Sequence, residues 1–157
     1  MSDDSPERGV MQWVDLPPVW LAGFAVLAWG QARVIPAPVF GSWAVPVGWA
    51  LVVLGVALGA AAVVQMLRHR TTVIPRRAPR DLVTGGIFAL SRNPIYLGDA
   101  LILTGVTFVF NALLGVALVP IFIAVIQKRF ILPEEARIAQ QFGTPYHEYT
   151  NRVRRWV

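Results

Sequence analysis

Between Asp99 and Lys128 the chain carries no charged side chain across about 28 residues. Nothing else in the sequence narrows the fold so sharply. An α-helix rises about 1.5 Å per residue, and the hydrocarbon core of a bilayer is about 30 Å thick. One straight helix over this run would overshoot that core by ~10 Å and bury Asn111 at its midplane. Two helices reversing at Asn111 place the amide at the far surface instead, with arms of about 15 residues. The hairpin is the preferred reading, and it has a topological consequence. It returns Glu134 and Glu135 to the membrane face that holds Arg92 and Tyr96, whereas a single crossing separates them.

A second uncharged run, Trp43 to Leu67, is long enough to span the core outright. Arg68-His69-Arg70 stops it, and Gly55 and Gly59 give it a small-xxx-small pattern that lets another helix approach closely. An earlier apolar run begins at Leu16, opens on Pro17-Pro18 and closes at Arg33, with Pro36 and Pro38 beyond. The composition agrees with a membrane protein. The 157 residues are 55% hydrophobic and 15% charged, with a mean hydropathy of +0.55, against about 25% charged in soluble domains. The expected fold is all-α, a polytopic membrane protein of four transmembrane helices. The last two form the hairpin, and a helical C-terminal tail follows.

Charge sets the expected topology. Of the fourteen basic residues only Arg33 falls on the far side, so the positive-inside rule puts the N-terminal tail, middle loop and C-terminal tail in the cytoplasm. In a bacterium that membrane is the inner one. A net charge of +5 beside apolar spans suits anionic lipid better than nucleic acid. The acidic start, Ser2-Asp3-Asp4-Ser5-Pro6-Glu7, is not that of a signal or transit peptide. Along a single domain the segments are a tail over 1–15, with Trp13 near the headgroups, spans over 16–33 and 43–67, a cytoplasmic loop over 68–94, the hairpin over 95–127 and a cytoplasmic tail over 128–157. Cysteine is absent and His69 and His147 are the sole histidines, so thiolate chemistry, disulfides and a multi-histidine metal centre are excluded, and no metal is expected.

Two polar segments stand out on the expected cytoplasmic face. The loop carries Leu82-Val83-Thr84-Gly85-Gly86 and then Ser91-Arg92-Asn93-Pro94-Ile95-Tyr96-Leu97-Gly98. Paired glycines allow close backbone approach, Pro94 suits a first helical turn and Asn93 an N-cap. The tail carries Glu134-Glu135 after Pro133, a pattern that by itself reads as a helix start, with Gly143 as its stop. The same carboxylates are also suited to a cationic ligand group such as an α-amino group. Tyr146, Tyr149, Arg152, Arg154, Arg155 and Trp156 make an aromatic and basic end that would lie well on anionic lipid.

Taken in order, these pieces resemble one family. Thr72-Val73-Ile74-Pro75, Leu82-Val83-Thr84-x-Gly86-x-Phe88, Arg92-Asn93-Pro94-x-Tyr96-x-Gly98, Glu134-Glu135, Phe142-Gly143-x-x-Tyr146-x-x-Tyr149 and Arg152-Val153-Arg154-Arg155 are similar to the isoprenylcysteine carboxyl methyltransferases. That family is similar in its C-terminal half to the phospholipid N-methyltransferases. The match covers roughly residues 70–157, and the first two spans match as generic membrane helices. The resemblance implies an integral-membrane enzyme that uses S-adenosylmethionine and lacks a Rossmann-type fold. It implies a cofactor site formed by Leu82, Val83, Thr84, Gly85, Gly86, Arg92, Asn93, Pro94, Tyr96, Gly98, Glu134, Glu135, Tyr146, Tyr149 and Arg152. Arg92, Glu134 and Glu135 are the implied catalytic residues. The chain departs from the pattern at Asn93, where the family often has His, and at Gly86, where it often has Pro. Asn93 does not titrate, so no mechanism needing a base there applies.

Methyl transfer from a sulfonium disperses charge, so the protein chiefly positions and desolvates the reactants. The expected acceptor is lipophilic and enters from the bilayer. It is either a phospholipid amine, for which Glu134 or Glu135 would take the proton, or an isoprenylcysteine-like carboxylate, which needs no base. Two other classes compete. Membrane sterol reductases, which use NADPH, share a pattern like Tyr96-Leu97-Gly98-Asp99 but are much longer. A non-catalytic membrane subunit of the same fold is the other.

Overall fold

The computed structural model describes residues 15–36, 39–72 and 79–157. The N-terminal tail before Asp15, with Trp13, lies outside the described residues, as do Pro38 and the stretch holding Val73, Ile74, Pro75, Arg76 and Arg77. The described residues are helical and contain no strand. In order they form α1 (Pro17–Val34), α2 (Ala44–Arg68), a 3₁₀ turn (Gly86–Ala89), α3 (Pro94–Val109), α4 (Gly115–Ile126), a π turn (Gln127–Ile131), α5 (Leu132–Phe142) and α6 (Thr144–Arg152). The 3₁₀ turn falls where the sequence pattern alone reads as loop.

The long uncharged run divides into α3 and α4, joined at Phe110–Leu114. Asn111 makes the reversal possible. It holds a left-handed φ of 53°, which asparagine tolerates better than other side chains with a Cβ. Its side chain then ties the turn to the α1–α2 connection, because Oδ1 accepts from the Phe40 backbone N–H at 3.0 Å and Nδ2 donates to the Phe40 carbonyl at 3.3 Å. Phe40, Trp43 and Phe108 pack edge to face around this bridge, with ring centroids 5.2–6.2 Å apart.

Helices α2 and α3 run antiparallel at backbone contact. A Cβ on Gly48 would lie 2.7 Å from the Gly105 carbonyl oxygen, and one on Gly55 would lie 2.5 Å from that of Gly98. Gly55 therefore works as the small-residue pattern suggests, but its companion is Gly48 and not Gly59, where an added Cβ would meet nothing within 4 Å. Two turns of helix separate the contacts, which keeps both glycines on one face. Gly55→Val is expected to destabilise the protein by about 1–3 kcal/mol through overpacking. Thermal unfolding in detergent reads this, and Gly59→Ala should leave the midpoint unchanged.

The core joins α1, α3, α4 and the π turn through Phe24, Tyr96, Leu103, Phe122, Ile126, Phe130 and Ile131. Outward faces are apolar too: Val26, Leu27 and Trp29 on α1, Val53, Leu54 and Val56 on α2, and Val116 and Ile121 on α4 are exposed. An apolar exterior of that extent is a liability in water and suits lipid. Among the described residues two helical paths are long and apolar enough to cross a membrane, α2 and the continuous path Gly115–Phe142, while α3 is apolar but shorter. That second path corrects the expected break between hairpin and tail. Pro133 does not start a separate helix, since the residue before Leu132 is itself helical, with φ −64° and ψ −52° at Ile131. Pro133 has no N–H to donate and its ring crowds the carbonyl four residues back, and the wider π turn leading into α5 carries the helix past it.

Candidate active site

A cavity of about 940 Å³ opens where the loop before α3, the tail helices α5 and α6, and the ends of α1 and α2 converge. The C-terminal segment closes against the loop by a set of backbone-directed bonds. The Arg92 N–H donates to the Arg154 carbonyl at 3.1 Å, and the buried Ser91 hydroxyl and Asn93 Nδ2 both donate to the Arg155 carbonyl, at 3.3 and 3.2 Å. Asn93 occupies the N-cap position of α3 without capping it through its side chain. Its amide is spent on the tail instead, a correction to the capping role its position suggested.

This closure delivers Arg155 to Glu135. The Arg155 Nε is 3.1 Å from both carboxylate oxygens and Nη2 is 2.7 Å from Oε2. Arg92 Nη2 lies 3.5 Å from Oε1 of the same carboxylate. The hydrogen bond Arg155 donates to Glu135 raises the Arg155 pKa further above its ordinary value, with burial opposing. Glu134 has a separate engagement, for the Tyr96 hydroxyl donates to its two oxygens at 3.1 Å each. Arg92 keeps one donor in reserve: its Nε is buried without a hydrogen-bond acceptor among the described residues.

Aromatic groups form the wall of α6. Gly143 ends α5 with a φ of 57°, and α6 then packs Tyr146, Tyr149 and Val153 against Leu82, Ile138, Ala139 and Phe142. The Tyr149 hydroxyl donates to the Phe88 carbonyl at 2.6 Å. Burial pushes the Tyr149 phenol well above the usual tyrosine range, with Arg92 opposing. Tyr146 is raised mainly by burial as well, with Glu135 adding and Arg92 opposing. Both phenols are therefore neutral at physiological pH. Tyr149→Phe strands the Phe88 carbonyl, at an expected cost of about 1–3 kcal/mol, to be read by thermal unfolding.

The sequence reading and the geometry meet at ten positions. Leu82, Val83, Arg92, Asn93, Pro94, Tyr96, Glu134, Glu135, Tyr146 and Tyr149 all line the cavity. Thr84, Gly85, Gly86, Gly98 and Arg152 do not. Gly98 packs against α2, as described above. Gly85 and Gly86 rest on the end of α2, where Gln65 Nε2 donates to the Gly85 carbonyl at 2.6 Å and Gln65 Oε1 accepts from the Ile87 N–H at 3.1 Å. Gly86 has a φ of 54°, which a proline ring forbids, so the glycine at this departure from the family pattern is required by the local backbone. Arg152 ends α6 exposed. The chain then becomes extended at Val153, with φ −121° and ψ 129°, and this turn brings Arg155 inward in place of Arg152. By composition alone Arg155 belongs to the aromatic and basic end suited to anionic lipid. Arg155 itself holds Glu135 without lining the cavity, whereas Phe88 and Asp99 line it and stand outside the expected set.

The sequence profile of the phospholipid methyltransferase family matches residues 43–145. The chain belongs to the phospholipid methyltransferase family. The matched region takes in α2, so the kinship extends further toward the N-terminus than residue 70, and it stops short of Arg155. The fold is also similar to that of a solved eukaryotic intramembrane Ras methyltransferase, isoprenylcysteine carboxyl methyltransferase, with a TM-score of 0.69 at 21% identity over 98% of this chain. The chain spans about half the length of that structure, 52%. No curated protein matches by sequence. For a member of the phospholipid methyltransferase family, the position of the cavity is informative: it joins the polar tail to the ends of the apolar helices.

Proposed function

We propose that this member of the phospholipid methyltransferase family is an integral-membrane enzyme that takes a methyl group from S-adenosylmethionine and transfers it to a lipophilic acceptor. The acceptor class is a phospholipid amine or an isoprenylcysteine-like carboxylate, and transfer takes place at the cytoplasmic membrane face. Four crossings with both termini cytoplasmic are part of the same proposal, supported by the distribution of arginines and the reversal at Asn111.

The observation that carries this reading is the two-ended lining of one cavity. At one end Arg92, Glu135, Tyr146 and Tyr149 present charged and phenolic groups. Toward the helices Leu16, Pro17, Val63, Met66 and Ile95 present hydrocarbon. A volume of about 940 Å³ is ample for a nucleoside-sized ligand. The residues fit the donor chemically. The unsatisfied Arg92 Nε suits a carboxylate, Glu134 and Glu135 suit an ammonium group, and Leu82, Val83 and Phe88 offer apolar surface to a heterocycle. When bound, the cofactor supplies an electrophilic methyl group on sulfur. Arg92 and Glu135 would hold its amino-acid end, Tyr146 and Tyr149 would exclude water as neutral walls, and the Tyr96–Glu134 bond would fix the floor at the start of α3.

The test is thermal shift on detergent-purified protein with S-adenosylhomocysteine and NADPH in parallel. Stabilisation by S-adenosylhomocysteine alone is expected, about 2.7 kcal/mol at a hundredfold excess over its Kd. Stabilisation by NADPH alone would move the protein to a reductase reading, and by neither to a non-catalytic subunit.

A further inference from the structure

We propose that Asp99 is the acceptor-side base of this site, acting where the acceptor is the lipophilic amine already named above. This rests on the methyl-donor reading above and narrows it. Four carboxylates line the cavity: Asp81, Asp99, Glu134 and Glu135. Three are committed. Asp81 Oδ2 lies 3.0 Å from His69 Nδ1, Glu134 accepts from Tyr96, and Glu135 is held by Arg155 and Arg92. Asp99 makes no hydrogen bond or ion pair among the described residues.

Its placement is as telling as its lack of a partner. Among the cavity-lining residues that α1, α2 and α3 contribute, Asp99 alone is charged; its companions on that side include Pro17, Pro18, Val63, Met66 and Ile95. A carboxylate in the apolar wall of a membrane helix is costly unless something pairs with it. A cationic group on the incoming acceptor supplies that pairing, and the surrounding hydrocarbon suits the rest of a lipophilic molecule. A carboxylate acceptor would meet a like charge at the same point, which disfavours it. Asp99 also follows Tyr96 by three positions on α3, so the two share a helix face. The base thus stands one turn from the Tyr96–Glu134 bond, where the polar end of the cavity gives way to the apolar one.

The chemistry balances without another reactant. Asp99 accepts one proton from the ammonium group, freeing the nitrogen lone pair. That pair forms the new N–C bond to the methyl carbon as the S–C bond breaks, its electrons remaining on sulfur. Nitrogen ends positively charged, sulfur ends as a neutral thioether, and the proton passes from Asp99 to water. This relieves Glu134 and Glu135 of the proton-accepting role that their position in sequence suggested.

The experiment has an arm that needs no methyl donor. Dodecylamine, compared with dodecanol, is expected to raise the melting temperature of the wild-type protein in detergent, and Asp99→Asn should abolish the difference. With labelled S-adenosylmethionine, Asp99→Asn is expected to lower transfer to the amine at least about 100-fold, the scale of general-base catalysis. Affinity for S-adenosylhomocysteine should stay within about threefold, since the base acts on the acceptor, and Asp99→Glu should restore part of the rate. Label in phosphatidylethanolamine vesicles assigns the amine to a lipid headgroup, and label in dodecylamine alone assigns it to a free lipophilic amine. Equal amine shifts in wild type and Asp99→Asn, an undiminished rate in that variant, or label in a farnesylated cysteine with both amines untouched would each overturn the assignment. Loss of S-adenosylhomocysteine binding in the wild type overturns the proposed function itself, whereas loss of the amine shift alone overturns only the role of Asp99.

Discussion

Glu135→Gln is expected to weaken S-adenosylhomocysteine binding by about 2–5 kcal/mol, the usual penalty for discharging one partner of a buried, hydrogen-bonded charge pair. The reason lies in what glutamine leaves behind. The Glu135 carboxylate is 13% exposed and lies between Arg155 and Arg92, whose side chains are 32% and 14% exposed. A neutral amide of the same shape keeps the packing but leaves two guanidinium groups facing each other with nothing to compensate them. Arg92 then shifts or recruits water, and its unsatisfied Nε no longer faces a defined space. Glu134→Gln should cost less, because its partner Tyr96 is a neutral hydroxyl that an amide oxygen can also accept from. Calorimetry on the two variants side by side tests this ordering. An unchanged affinity in Glu135→Gln would mean that the donor binds somewhere else.

The second large effect is expected at the opposite end of the molecule, far from the chemistry. Asn111→Ile should destabilise the protein by about 2–5 kcal/mol. A β-branched residue tolerates a φ of 53° poorly, and both polar groups of the Phe40 backbone lose their partner at about 1–3 kcal/mol for each group left unsatisfied. Beyond stability, the substitution removes the residue that forces the reversal. The uncharged run then favours one continuous helix, and α5 and α6 no longer return to the loop that carries Arg92. Loss of S-adenosylhomocysteine binding should therefore accompany the lowered unfolding midpoint. Asn111→Gly separates the two contributions, since it keeps the left-handed conformation and loses only the side-chain bridge. A variant Asn111→Ile with wild-type stability would show that the turn is fixed by α3 and α4 packing alone.

Much of the architecture was legible because membrane solvation is a coarse and strong constraint. An unsatisfied backbone group or an unpaired charge in hydrocarbon is so costly that spans announce themselves as uncharged runs bounded by arginine and proline. Arg68-His69-Arg70 and Pro94 mark helix ends to within a residue or two for that reason. The ten expected residues that line the cavity lie in the loop before α3, the first turn of α3 and the tail helices α5 and α6. Gly85 and Gly86 are ambiguous in the sequence because glycine permits two different things, approach to a ligand and approach to another element, and only the tertiary structure shows Gln65 against them. Arg152 and Arg155 could not be ranked from periodicity, since α6 stops between them and the extended residue at Val153 resets which side each one faces.

What the sequence by itself determined is the solvent and the parts: apolar helices suited to a membrane, and a polar loop and tail that carry the ionisable groups. Local composition decides those, because hydropathy, helix breakers and charge act through residues adjacent in the chain. Only the tertiary structure decided the partnerships. Glu135 belongs to Arg155 and Arg92, Gly55 to Gly98, and Asn111 to Phe40. Asp99 was left at the cavity with no partner among the described residues. Each of these depends on contacts between segments far apart in the chain, whose distances no spacing rule contains.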